Sequence, residues 1–305
     1  MTGAPRRQRG VAVVVAVLVV ALATSTASHI LWQQSLWLRQ VENLSDRAQA
    51  DALARAAASW AAAILAADDP TVDHPGEPWA RRMPAFPAER AELAGAIDDE
   101  QAKLNVNNLA REGGASPQDL VAFQRLLASL GLPASVAEAV LDWLDADAEA
   151  TAPNGAEDQY YLARDPAHRA ANRHALDLGE LARVKGLDAA AVARLAPFVT
   201  ALPEATPVNV NTAPPEVLRA IVPGLTPEAA ARVVAARPFA SREAFLRALP
   251  AAPAAPIAAQ IDVRSRYFSA AATVRRGRVI AGYRALFERD DRGVPALLTM
   301  SQVAI

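Results

Sequence analysis

No proline and no glycine occurs between Val11 and Asp69, 59 residues of a chain that holds 22 prolines and 14 glycines. A breaker-free stretch of that length predicts one continuous helix, about 85 Å long at 1.5 Å per residue. Its two ends differ in chemistry. Between Arg9 and Arg39 there is no Lys, Arg, Asp or Glu, and Val11–Ala23 is almost purely aliphatic. That is enough to cross a hydrocarbon core of about 30 Å. Trp32 and Trp37 fall near its outer end, where indoles favour the interface. From Arg39 to Ala67 the pattern is amphipathic, with Val41, Leu44, Ala48, Ala52, Ala56, Ser59 and Ala63 on one predicted face. A rod of this kind on a small head points to a filament subunit or a membrane-tethered assembly part, not a free enzyme.

The leader, residues 1–10, carries Arg6, Arg7 and Arg9. Positive charge marks the cytoplasmic side, which puts everything after residue 38 outside the inner membrane of a bacterium as a single-pass protein. The competing reading is a secretory signal cut after Ala23 or Ala27. Another 40 residues of breaker-free helix weigh against it. Net charge is −2, so bulk electrostatics favour no polyanionic partner. Cysteine is absent, which excludes disulfides, thiolate metal sites and thiol nucleophiles.

Asp68–Pro87 reads as a Pro- and Asp-rich loop that stops the rod, and Glu92–Val106 as a mixed segment holding a strand. Residues 105–250 read as helices with short turns, several opened by Pro at the first helical position, as at Ser116-Pro117 and Thr226-Pro227. Residues 251–256 form a stiff link. Then the period changes from 3.6 to 2: Ile261–Val274 and Val279–Glu288 flank Arg275-Arg276-Gly277-Arg278 as a hairpin, and Leu297–Ile305 is a weaker strand. The expected class is α+β. A transmembrane half-helix (11–38) continues into a helix-plus-sheet domain (39–104 and 257–305), interrupted by an all-helical insertion (105–250).

Within the insertion, Asp142, Asp145, Asp147, Glu149, Glu157 and Asp158 crowd into 17 positions around a turn at Pro153-Asn154-Gly155. Carboxylates from both arms of a folded-back loop are hard oxygen ligands of the kind Ca²⁺ takes six to eight of. The loop is not an EF-hand, because Ala150 and Ala156 stand where glycine and the bidentate acid belong. A solvated acidic loop is the plainer reading. Leu178–Val199, turning at Lys185-Gly186-Leu187, and Pro214–Ala236, turning at Pro223-Gly224-Leu225-Thr226, have the outline of helix-hairpin-helix units. A secreted or membrane-anchored DNA-binding and uptake protein is therefore the alternative function. The block 105–250 holds 13 Lys/Arg against 17 Asp/Glu, which disfavours phosphate binding. The four histidines (29, 74, 168 and 174) are isolated, and no HExxH, GxGxxG, P-loop or GxSxG run is present.

Arg9-Gly10-Val11, a glycine directly before a long apolar helix behind a basic leader, resembles the processing site of the type IV pilin and pseudopilin class. The resemblance implies cleavage by a prepilin peptidase between Gly10 and Val11, and methylation of Val11. Most members carry a glutamate at the fifth mature position; here it is Val15, which implies a subunit with none above it. Asp142-Trp143-Leu144-Asp145-Ala146-Asp147, Gly155-Ala156-Glu157-Asp158-Gln159-Tyr160-Tyr161, Leu104-Asn105-Val106-Asn107 and Val208-Asn209-Val210-Asn211-Thr212-Ala213-Pro214 are similar to runs of the K-type minor pseudopilin of type II secretion systems. That family implies a pilin-like fold and calcium bound by Asp145, Asp147, Glu157 and Asp158, with Asn172 as a further ligand. It implies placement at the pseudopilus tip, where the subunit primes assembly and promotes export of folded proteins. It further implies the I- and J-type minor pseudopilins as neighbours, the H type as another candidate, contact with the inner-membrane assembly platform, and no nucleic-acid partner.

Overall fold

The computed structural model describes residues 6–88, 90–111, 114–253 and 257–303. Helix α1 runs unbroken over Arg6–Ala66 and takes in the end of the basic leader. Strands β1 (Met83–Ala88) and β2 (Ala91–Asp99) follow. The insertion opens with β3 (Leu104–Asn105), β4 (Ala110–Arg111) and β5 (Gly114–Ala115). Next come α2 (Pro117–Ser129), α3 (Val136–Leu144), the single turn α4 (Asp158–Tyr161), α5 (Ala189–Leu195) and β6 (Val199–Thr200). Its second part holds β7 (Val208–Asn209), α6 (Pro215–Ile221), α7 (Pro227–Ala235), α8 (Arg242–Ala248) and β8 (Ile261–Asp262). The chain then returns as β9 (Tyr267–Arg276), β10 (Val279–Arg289) and β11 (Pro295–Val303).

Five strands form one antiparallel sheet in the order β1-β2-β9-β10-β11, and α1 lies along it. Ala50 and Ala54 pack with Leu93, Val274 and Ala281, while Ala58, Ala61 and Leu65 pack with Ile97, Phe268 and Phe287. The buried stripe is therefore 50, 54, 58, 61 and 65. The expected stripe of Val41, Leu44, Ala48, Ala52, Ala56, Ser59 and Ala63 faces outward. An alanine-rich helix carries two small-residue faces, and periodicity alone does not say which one meets the sheet. The hairpin turns at Gly277-Arg278, where Gly277 has φ +54 and Arg276 pairs with Asp46 of α1 at 3.1 Å.

Three sequence expectations need correction. The loop assigned to 68–87 ends in β1, despite Pro84 and Pro87. An edge strand tolerates proline because its outer N–H groups are not needed by the ladder. The insertion is not purely helical, since parallel two-residue pairs β3·β6 and β7·β8 close it. Ile257, Ile261 and Val263, expected on the sheet side, belong to the insertion's core with Val208, Phe245 and Leu249. Ala254, Ala255 and Pro256 of the expected link fall outside the described residues.

The insertion is itself double. Asn105 accepts from Asn107 N at 3.1 Å, and Asn209 from Asn211 N at 2.9 Å. The Asn107 amide holds both backbone groups of Ala175 at 2.8 and 3.0 Å; the Asn211 amide holds both of Phe239 at 2.7 and 3.0 Å. Each Asn-Val-Asn run follows a strand, precedes a helix pair and staples the chain that leaves it. The first staple spans 68 residues and the second 28. Much of the difference is the acidic loop after α3.

The insertion is fixed to the sheet domain through buried polar groups at the end of α1. Arg289, 1% exposed, pairs with Asp68 at 3.0 Å and Asp73 at 2.5 Å. Asp99 accepts from Asn209, Thr212 and Ser265. A buried charge this costly is stable only when fully paired, so rod end, sheet and insertion are held as a unit.

Candidate functional site

Helix α3 buries Val140, Leu141, Trp143 and Leu144 and ends at Asp145. Asp142, fully buried on the same helix, accepts from Thr151 N (3.1 Å) and Ala156 N (2.6 Å), so the acidic loop is wound around one carboxylate. The Lys185 ammonium closes it from the other side by donating to the carbonyls of Asn154 and Gly155. The loop returns through α4, where Tyr161 packs edge-on against Trp143.

This winding brings Asp145, Asp147 and Glu157 together, with one oxygen of each within 4.8 Å of the others. Asp145 and Glu157 are buried and Asp147 is exposed. Burial pushes the Asp145 carboxyl up to about 6, with Asp147 and Asp142 adding to it. Burial likewise pushes Glu157 up to about 7, with Asp142 and Asp145 next in effect and the nearby Asn172 amide opposing. Asp145 Oδ1, both Glu157 oxygens and Asn172 Oδ1 are buried without any hydrogen-bond partner. Asn172, at φ +44, donates its amide to Asp147 O at 2.6 Å, which leaves its own oxygen free. Buried acceptors with no donor are costly. An oxygen-only set in which every free atom is an acceptor matches what a hard divalent cation requires.

Asp158 departs from expectation. Its carboxylate pairs with Arg169 at 3.0 Å and accepts from Ala170 N at 3.0 Å. Glu157 caps α4 and Asp158 is its first residue, so the two adjacent side chains leave the backbone in different directions and Asp158 stands outside the trio. Sequence reasoning missed the role of Asp142, although its place three residues before Asp145 puts both on one helix face. A second acidic group, Asp68, Asp73 and Glu77, already holds the Arg289 guanidinium against Asp68 and Asp73.

The first hairpin turn is not built for phosphate. Gly186, at φ +83, is pressed on α3, where an added Cβ would lie 2.9 Å from Val136 Cγ2. The one basic residue of that turn, Lys185, is spent on the acidic loop. Gly10, Val11 and Val15 lie on the continuous α1, and the segment Gly10–Ala66 contains a window of mean hydropathy 2.4 that is 0% buried. It is long and apolar enough to cross a membrane once. Val15 is 53% exposed on that rod.

Two family models, both described as type II secretion system protein K, match residues 102–204 and 208–264, the two halves of the insertion. The chain is 37% identical over 289 residues to type II secretion system protein K of Pseudomonas aeruginosa, covering 89% of this chain and 86% of that protein. It is 33% identical to the protein K of Aeromonas hydrophila, covering 93% and 94%. Its fold matches a chain in the crystal structure of the GspK-GspI-GspJ complex from enterotoxigenic Escherichia coli, with TM-score 0.79 at 25% identity over 87% of this chain and 100% of that one. The family matches run through both hairpins and supersede the DNA-uptake alternative. From the apolar rod, the doubled insertion and these relatives together, the chain belongs to the type II secretion system protein K family.

Proposed function

We propose that this protein K is the tip subunit of the pseudopilus. Its leader is cytoplasmic, α1 crosses the inner membrane once, and the folded head lies in the periplasm. The observation that carries the reading is where the insertion joins. Asp73 N donates to Val263 O, and Asp73 O and Asp99 accept from Asn209, so the bulk sits at the end of α1 farthest from its apolar half. A subunit stacking above a slim pilin head would meet this mass. Val15 supports the same placement, since no carboxylate reaches up to a higher subunit's terminal amine. The outward stripe of α1 is then available to neighbouring rods of the I and J types, the partners named for the solved complex.

In this reading Asp145, Asp147 and Glu157 hold calcium, with the Asn172 oxygen completing the protein's share. A bound divalent cation supplies the positive charge that the buried carboxylates lack. The chain's part is to pre-wind the loop on Asp142 and bring both arms within reach.

Mass spectrometry of the mature protein tests the assignment. The expected product begins at methylated Val11, sediments with inner membranes and co-isolates with I- and J-type subunits. A soluble periplasmic product beginning near Thr24 or Ser28 would overturn it.

A further inference from the structure

The two edges of the sheet are treated differently. At β1, Pro84 and Pro87 interrupt the edge, and the register breaks between Met83 and Phe86. At β11, nine residues (PALLTMSQV) run without a single charge and without proline after the first position. Among the described residues nothing pairs with its outer edge. Leu297, Leu298 and Val303 are 51, 39 and 41% exposed along it. Proteins that keep an edge solitary blunt it with charges, prolines or bulges. Here one bulge lies at Leu286/Phe287, and the rest is open ladder.

The ends of this edge are also polarised. Asp290 and the exposed Asp291 lie at the turn before Pro295. At the far end a cleft of about 530 Å³ beside Gln302 is lined by Arg47 of α1 and Arg278 of the hairpin turn. Both arginines are exposed, and neither pairs with any described residue. The one acid lining the cleft, Asp51, accepts from the Tyr283 hydroxyl, and the two arginines against that one carboxylate leave the cleft net positive.

We propose that the outer edge of β11 is a strand-addition site for an extended apolar segment of another protein, led at its amino-terminal end by an acidic side chain that seats between Arg47 and Arg278. Antiparallel addition places the incoming amino-terminal end beside Val303, where those two positive charges wait. A second copy of this chain does not fit. The rod lies along the strands, so antiparallel pairing would point the two rods in opposite directions, which one shared membrane forbids. This last step rests on the membrane-anchored reading; the open edge and the cleft do not.

The test uses the full chain in detergent micelles and two blocked peptides, Glu-Glu-(Val-Thr)₃-Val and Lys-Lys-(Val-Thr)₃-Val. The acidic-led peptide is expected to slow amide exchange across residues 295–303 and to bind about tenfold tighter than the lysine-led one. Arg47→Glu with Arg278→Glu should reverse that preference. Thr299→Lys with Ser301→Lys, both exposed positions, should abolish binding while leaving the melting temperature unchanged. Unaltered exchange at 295–303, or equal binding of the two peptides, would overturn the proposal. Concentration-dependent self-protection of 295–303 without peptide would overturn the choice of occupant and, with it, the shared-membrane argument. Cleavage after Gly10 is read separately and is untouched by any of these outcomes.

Discussion

Gly155 lies so close to Asp142 that an added Cβ would stand 2.1 Å from Asp142 Oδ2 and 2.5 Å from Thr151 N. Neither neighbour can yield, because Asp142 is fully buried and Thr151 N is the atom it holds. Gly155→Ala should therefore destabilise the head by about 3 kcal/mol and loosen the acidic loop, read as a fall in melting temperature and loss of calcium response. The proposed ligands should behave oppositely with and without the ion. Asp145→Ala with Asp147→Ala removes two mutually repelling acids, so in chelator the melting temperature should hold or rise. In calcium at a hundredfold excess over Kd the parent gains about 2.7 kcal/mol from selective binding, and the double variant should lack it. Identical melting of parent and variant in both buffers would dismiss the metal site. The turn at Pro153-Asn154-Gly155 marked the acidic cluster in the sequence, and the family resemblance implied Asp145, Asp147, Glu157 and Asp158 as its ligands. The resemblance misplaced Asp158 because adjacent residues at a helix start diverge in direction, a detail carried by the backbone and not by spacing.

At the scale of elements, Glu100 shows how sheet and insertion are joined. Lying between β2 and β3, it accepts from Thr200 of the insertion and Ser269 of the sheet, and it pairs with Lys103 and Arg284. Burial alone would raise its carboxyl, but Lys103, Arg284 and Ser269 outweigh that and bring it down to about 2. An acid whose folded pKa is depressed adds stability above its unfolded value near 4.5, and that stability is lost as pH falls toward 2. The parent should thus exceed Glu100→Gln in stability at pH 7, with the gap closing between about pH 4.5 and 2 in paired denaturant titrations. Packing of α1 gives a second contrast. Ala54→Leu, in the buried stripe, should cost about 1–3 kcal/mol by overpacking. Ala52→Leu, on the outward face, should leave the isolated chain's stability unchanged while disturbing co-isolation with neighbouring rods. The rod was legible because an absence of breakers is a global property of the stretch. Its buried face was not, since alanine occupies both candidate stripes and only the sheet selects between them. Strand β1 was hidden for a related reason: proline argues against a strand everywhere except at an edge, and edge position is set by the tertiary fold.

On the scale of the whole molecule, the doubled insertion, the buried Arg289 junction and the acid-free apolar half of α1 bear on one question, which is where the subunit can sit. Both Asn-Val-Asn runs were visible in the sequence, but their equivalence shows only in what each amide staples, Ala175 in one half and Phe239 in the other. The junction then decides whether the insertion swings or stands. With Asp68, Asp73 and Asp99 all engaged at the end of α1, it stands, and it projects beyond the rod as a fixed obstacle. Charge and bulk can be separated experimentally. Val15→Glu restores a carboxylate on the rod, whose burial in the bilayer is costly unless it finds a partner. If bulk alone sets the position, the variant should remain at the tip, counted as one copy per pseudopilus by immunogold labelling. If the missing carboxylate sets it, labelled subunits should appear along the shaft. Shaft labelling by Val15→Glu in the presence of an intact insertion would show that the fixed head is no barrier to stacking, and the structural argument for the apex would fail with it.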